Sequence, residues 1–261
     1  MFHEFTVEIC AGGIEDVITA SRFPIDRIEL NSALELGGLT PSIASLKQAK
    51  AKSTVPIMCM VRPRPAGFVY TEQEVELMKQ DAKILLENGA DGIVFGFLNP
   101  DHTVDRKQTE EFAALIHSYG RTAVFHRAFD LVNDPDSSIQ DLIACGIDRL
   151  LTSGCAETAP LGAPVLKTLQ ERYGREIEIL PGCGIGAENV VQLLSVSGCR
   201  CFHMTAKSMR QDDGEYAAVD ARRIQAVMDV LGASIRKKPS LLTREDDELL
   251  KQEQYEKPFD L

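Results

Sequence analysis

Short apolar runs rich in β-branched residues alternate along this chain with longer stretches whose apolar positions recur every three or four residues. The short runs predict strands at Phe5–Cys10, Asp26–Asn31, Pro56–Arg62, Gly92–Gly96, Thr122–Arg127, Arg149–Ser153, Glu178–Pro181 and Arg200–Met204. The longer pattern predicts helices at Ile14–Arg22, Ser42–Lys52, Glu72–Asn88, Lys107–Ser118, Asp136–Cys145, Ala163–Tyr173, Ala187–Val196 and Asp220–Leu231. Regular alternation implies parallel strands, because each connection must cross back over the sheet before the next strand begins. The number of units matches a closed (β/α)8 TIM barrel, an α/β fold built from roughly 250 residues. An open doubly wound sheet more often carries a G-x-G-x-x-G turn after its first strand. Here that strand runs into Ala11-Gly12-Gly13. A barrel is the expected fold.

Turn chemistry agrees with these boundaries. Asn88-Gly89, Cys145-Gly146 and Ser197-Gly198 put glycine just past a helix end, where the left-handed conformation closes a helix at little steric cost. Thr40-Pro41 and Thr71-x-x-Glu74 read as helix starts. The barrel is expected over residues 1–231. Residues 232–261 form a linker and an acidic tail of helical propensity, whose Leu241, Leu242, Leu249 and Leu250 either dock on the barrel or a second subunit, or fray.

Side chains alternate along a strand, so residues of one parity share a face. Ile28 and Leu30 suit the helix-facing side, which turns Glu29 inward with Asn31. The same reasoning groups Glu8 with Cys10, and Met58 with Met60, Arg62 and Arg64, leaving Cys59 toward the helices. Glu8, Glu29, Arg62, His126 and His203 are therefore expected near the upper rim. Such a set is either an ion-pair network plugging the barrel or an acid, base and cation arranged for proton transfer beside an anionic substrate. Barrel sites are assembled from strand ends on this face. Asp130 is placed to hold Arg127 or to orient His126, and Thr152 and Ser153 offer hydroxyls at the end of the sixth strand. In Pro181-Gly182-Cys183-Gly184-Ile185-Gly186 the glycines build a tight turn or open backbone N–H groups to an anion. Barrels often hold phosphate at this place, and Ser208 with Lys207 lies close by in sequence.

Composition narrows the choice of partners. A formal net charge of −11 works against nucleic acid and anionic membranes. No apolar run reaches the ~18 residues of a membrane span, and the first residues lack a basic segment leading into an apolar one. Seven cysteines without framework spacing are expected to be reduced thiols in the cytoplasm.

Several segments also resemble the CutC family. They are Glu8-Ile9-Cys10, the run from Arg27 to Ser42, Val61-Arg62-Pro63-Arg64, Asp91 to Gly96, Phe125 to Asp130, Leu151 to Gly154, and Leu180-Pro181-Gly182-x-Gly184-Ile185. The resemblance implies a cytoplasmic barrel, a homodimer or larger homo-oligomer, and a link to copper homeostasis. Family members proposed to bind Cu(I) share Cys10 but carry a second Cys where this chain has Asn31, and an amide is a poor ligand for that ion. Cys183 stands where the family usually has Gly. Cys201 shares parity with His203 on the strand next to the first, which makes Cys10 with Cys201 the expected copper pair. The alternative is an enzyme that binds a small anionic or phosphorylated metabolite at the rim.

Overall fold

The computed structural model describes residues 5–232, and they form one (β/α)8 barrel. Its elements are β1 Thr6–Ala11, α1 Ile14–Ala20, β2 Arg27–Leu30, α2 Ile43–Lys52, β3 Ile57–Met60, α3 Glu72–Glu87, β4 Gly92–Phe95, α4 Arg106–Ser118 and β5 Thr122–Phe125. They continue through α5 Pro135–Ala144, β6 Arg149–Thr152, α6 Ala163–Tyr173, β7 Glu178–Pro181, α7 Val190–Ser197, β8 Cys201–Met204, β9 Lys207–Gln211, β10 Glu215–Val219 and α8 Ala221–Val230. Strands β1 to β7 pair in sequence order, all parallel, and β8 pairs with β1. A single bridge between Gly182 and His203 joins β7 to β8 and closes the ring.

The local signals act where they were read. Thr71 and Glu74 form a reciprocal capping box on α3, and Gly89, Gly146 and Gly198 all adopt positive φ. Two starts differ. Ser42 rather than Thr40 caps α2, accepting from the Ser45 N–H at 3.0 Å, because Thr40 is bonded to the Arg62 backbone. Helix α7 begins at Val190 rather than Ala187, since Asn189 folds its amide back onto Gly184 and Gly186. The proposed tail, beyond Gly232, lies outside the described residues.

The alternation of side chains separates two cores. Ile9, Ile28, Leu30, Cys59, Ile93, Phe95, Phe125 and Phe202 belong to the large cluster between strands and helices. Inside the barrel two small apolar clusters face one another, Met58, Met60, Val94 and Val124 in one and Leu151, Leu180 and Cys201 in the other. The remaining interior is polar. The antiparallel hairpin β9–β10 is an addition that the helix and strand pattern did not predict. Asp16 on α1 fastens it by accepting the Val219 N–H at 2.8 Å.

Candidate functional site

Parity turns Glu8 inward, but register sets its neighbours. Glu8 pairs across to Arg27 and His203, and Cys10 to Glu29. One Glu8 oxygen takes the Arg27 Nε–H at 3.0 Å and lies 3.7 Å from Arg149 Nη1; the other meets His203 Nδ1 at 2.8 Å. Glu178 bridges the same two arginines from β7. Arg27, Arg149 and Glu178 open their strands, so this network fills the lower barrel. Burial alone would raise the Glu8 carboxyl, yet the His203 hydrogen bond and the charges of His203, Arg27 and Arg149 pull it down to about 2. Glu8 is thus a fixed anion that positions His203, not a rim base.

Above it lie Cys10, Glu29 and His203. One ligand atom from each lies within 4.8 Å of the other two. The Cys10 thiol points at Glu29 Oε1 (3.9 Å), and the Asn31 amide donates to the same oxygen at 2.9 Å and to the Cys10 sulfur at 3.5 Å. Burial raises the Cys10 thiol and the Glu29 carboxyl. His203 is driven the other way. Burial disfavours its imidazolium, but the charge of Glu29 and hydrogen bonds to Cys10 and Glu8 outweigh that and raise it well above the ordinary range. The expected pair of Cys10 with Cys201 is not formed. Cys201 is level with Thr6, below His203, and its thiol donates to the Ile179 carbonyl at 3.1 Å. Parity alone could not place it, because sharing a face does not fix height along the barrel. Cys59 lies among the helices, as parity predicted.

Arg62 and His126 reach the rim. The Arg62 guanidinium spends its terminal N–H groups on the carbonyls of Leu36, Gly38 and Ala66, at 3.1, 3.2 and 2.8 Å, and so straps two loops together rather than waiting as a free clamp. Phe68 lies under it, 5.1 Å from ring centre to guanidinium carbon, and the same ring packs 4.7 Å from that of His126. The Ala128 N–H donates to His126 Nδ1 at 3.1 Å, which puts the proton of the neutral imidazole on Nε2. Burial first, then the charge of Arg62, lowers His126 to about 3. Gly38 lets the rim close up: a Cβ there would sit 2.5 Å from Asn31 Oδ1. Glu29 Oε2, Asn31 Oδ1, Arg62 Nε and His126 Nε2 are shielded from water and have no hydrogen-bond partner. Most buried polar groups are matched, so four unmatched ones around one mouth call for an explanation.

Asp130 does not orient His126. It accepts from Arg127 Nε (2.7 Å), the Ser153 N–H and hydroxyl, the Cys155 N–H and the Thr152 hydroxyl. Thr152 and Ser153 are fully buried, so these expected ligand hydroxyls serve as fastenings of the loop. Gly182 is a packing glycine, since a Cβ there would meet Leu151 at 2.6 Å, and its N–H is held by the Thr152 carbonyl. Ser208 sits on the hairpin beside Asp220, whose carboxyl is held below its usual range, against burial, chiefly by Arg222 and in smaller part by the Ser208 hydroxyl. Cys183 and Gly184 both have positive φ, at 83° and 70°. For Cys183 this left-handed backbone is strained.

A profile of the CutC family matches residues 5–208. The chain belongs to the CutC family. It is 45% identical over 206 residues to a CutC protein of Treponema denticola, covering 79% of this chain and 83% of that one. It is 39% identical to the human copper homeostasis protein cutC homolog, covering 79% and 75% respectively. A solved CutC structure from Streptococcus agalactiae superposes with a TM-score of 0.72 at 31% identity, covering 77% of this chain and 98% of that one. Within this CutC chain, no helix of the described residues is long and apolar enough to cross a membrane. A glycine at position 183 would adopt this positive φ without penalty, whereas Cys183 does not. Sequence reasoning missed Arg27, Arg149 and Glu178. Their parity with Glu29, Leu151 and Leu180 turns them inward, but they stand at the starts of their strands, away from the ends where barrel sites are assembled.

Proposed function

We propose that this chain handles copper by holding an ion between Cys10, Glu29 and His203, inside the carboxyl end of the barrel. The reading rests on the convergence of a sulfur, a carboxylate oxygen and an imidazole nitrogen within 4.8 Å, on residues that are 5, 3 and 7% exposed. Thiolate and imidazole are ligands that copper accepts, and Glu29 Oε2, which has no partner, is the atom a cation would satisfy. Glu8 occupies Nδ1 of His203 and leaves Nε2 for a ligand, the carboxylate–histidine arrangement that orients metal-binding imidazoles. Binding would displace protons from Cys10 and His203. All seven cysteines are free thiols, which suits the cytoplasm as the compartment.

Anaerobic dialysis against Cu(I) should leave about one ion per chain in the wild type and none in Cys10→Ala. Cys201→Ala should retain it, because Cys201 lies below the site. Equal retention in Cys10→Ala and wild type would remove the copper reading.

A second reading is favoured by a separate observation, the unmatched Arg62 Nε and His126 Nε2 at the same mouth as Glu29. These suit a small anionic metabolite, with Glu29 as proton acceptor and the His126 Nε2–H as donor. Under it, a metabolite that raises the melting temperature of the wild type should fail to do so for folded Glu29→Gln. An unchanged shift would take Glu29 out of that chemistry.

A further inference from the structure

A cleft of about 570 Å³ opens beside the carboxyl ends of β7 and β8. Pockets of roughly 300–1,000 Å³ hold metabolite-sized ligands. Its wall carries Arg127, Lys207 and Arg223 against one carboxylate, Glu188. The chain as a whole has a formal net charge of −11, so the local sign is reversed. Arg127 is engaged by Asp130, but Lys207 and Arg223 have no ion-pair partner among the described residues. The turn at Cys183–Ile185 lines the same cleft. No hydrogen bond among the described residues takes up the N–H groups of Cys183, Gly184 or Ile185. Gly184 has positive φ, and the strained Cys183 beside it holds the turn in the same unusual shape. At its inner end the cleft reaches His203.

We propose that this cleft binds the phosphate group of a small phosphorylated metabolite. A phosphate monoester offers several acceptor oxygens around one centre and about two negative charges. It can take the Lys207 ammonium, the Arg223 guanidinium and backbone N–H groups from different sides at once. A carboxylate offers two oxygens in one plane and would leave part of that set unmatched. The loops after the seventh and eighth strands are also where barrels commonly hold phosphate. With the phosphate at the outer end, the rest of the molecule extends toward His203 and the barrel mouth. None of the groups that hold the phosphate is among Cys10, Glu29 and His203, so the proposal stands apart from the copper reading.

The test is calorimetric titration of the full metal-free chain with inorganic phosphate. Saturable binding that weakens as salt is raised is expected. Lys207→Ala combined with Arg223→Ala should lower the affinity at least about tenfold. Both side chains are exposed, and circular dichroism should show the fold intact. Lys47→Ala combined with Lys52→Ala, the same charge change on α2, should leave the affinity within about twofold. Absence of saturable binding by the wild type overturns the proposal. So does equal affinity in the Lys207/Arg223 variant, or a comparable loss in the α2 variant, which would mean general charge attraction.

Discussion

Glu8→Gln should lower the stability of the barrel by about 3–5 kcal/mol, the range expected when one member of a buried ion-pair network is removed. Glu8 is 1% exposed and answers three cationic groups at once, Arg27, Arg149 and His203. A glutamine keeps the shape and some hydrogen bonds but leaves those cations without their central anion. Uncompensated buried charge is what makes such a change costly. The neighbouring Glu178 gives an internal control. Its side chain is 39% exposed, so water can take over part of its role, and Glu178→Gln should cost about 1 kcal/mol. Urea unfolding at neutral pH measures both. A Glu8→Gln midpoint equal to that of the wild type, or a larger loss in Glu178→Gln than in Glu8→Gln, would show that the network does not hold the lower barrel together.

Acid should destabilise the protein through His126. Its folded pKa is about 3 against an ordinary value of 6.5, because burial and the Arg62 charge exclude the imidazolium. A group whose folded pKa is depressed contributes stability that is fully present above its unfolded pKa and is lost as pH falls toward the folded value. The unfolded chain takes up a proton below pH 6.5 while the folded one does not until about pH 3. At about 1.4 kcal/mol per pH unit, the window is worth up to about 5 kcal/mol, order of magnitude. His126→Asn removes the titration while an amide oxygen can still accept the Ala128 N–H. The variant should be less stable at pH 7, since it gives up the packing on Phe68, but its stability should decline less steeply than that of the wild type between pH 6 and 4. Parallel declines in the two proteins would rule out His126 as the origin. Below pH 4.5 Glu8 adds a loss of the same sign, its carboxyl being held down to about 2.

Both predictions concern residues singled out by sequence, yet neither role was legible there. Glu8 and His126 were grouped with Glu29 and Arg62 because all four occupy inward parity positions. The structure divides the group by height. Glu8 joins arginines at the strand starts, whereas His126 and Arg62 share the Phe68 ring at the rim. Arg62 read as a free cation and is instead bound to three loop carbonyls. The sequence pattern does not show the β9–β10 hairpin although Asp213-Gly214 is a turn signal, because β9, Lys207–Gln211, is exposed and lacks the apolar run that marks the barrel strands, which leaves the short apolar end of β10 without a visible partner.

The sequence by itself determined the alternation of strands and helices, the helix closures at Gly89, Gly146 and Gly198, the inward turn of Glu8, Cys10, Glu29 and His203, and the resemblance to the CutC family. All of these follow from local periodicity, short turn chemistry or contiguous motifs. Only the tertiary structure decided which inward residues meet. Whether Cys10 finds Cys201 or His203, and whether Glu8 finds Arg149 or the rim, depends on register and closure among segments up to about 200 positions apart. The exclusion of water that keeps His126 neutral and leaves Glu29 Oε2 unmatched is likewise a property of the closed ring, since no single segment can bury its own polar groups.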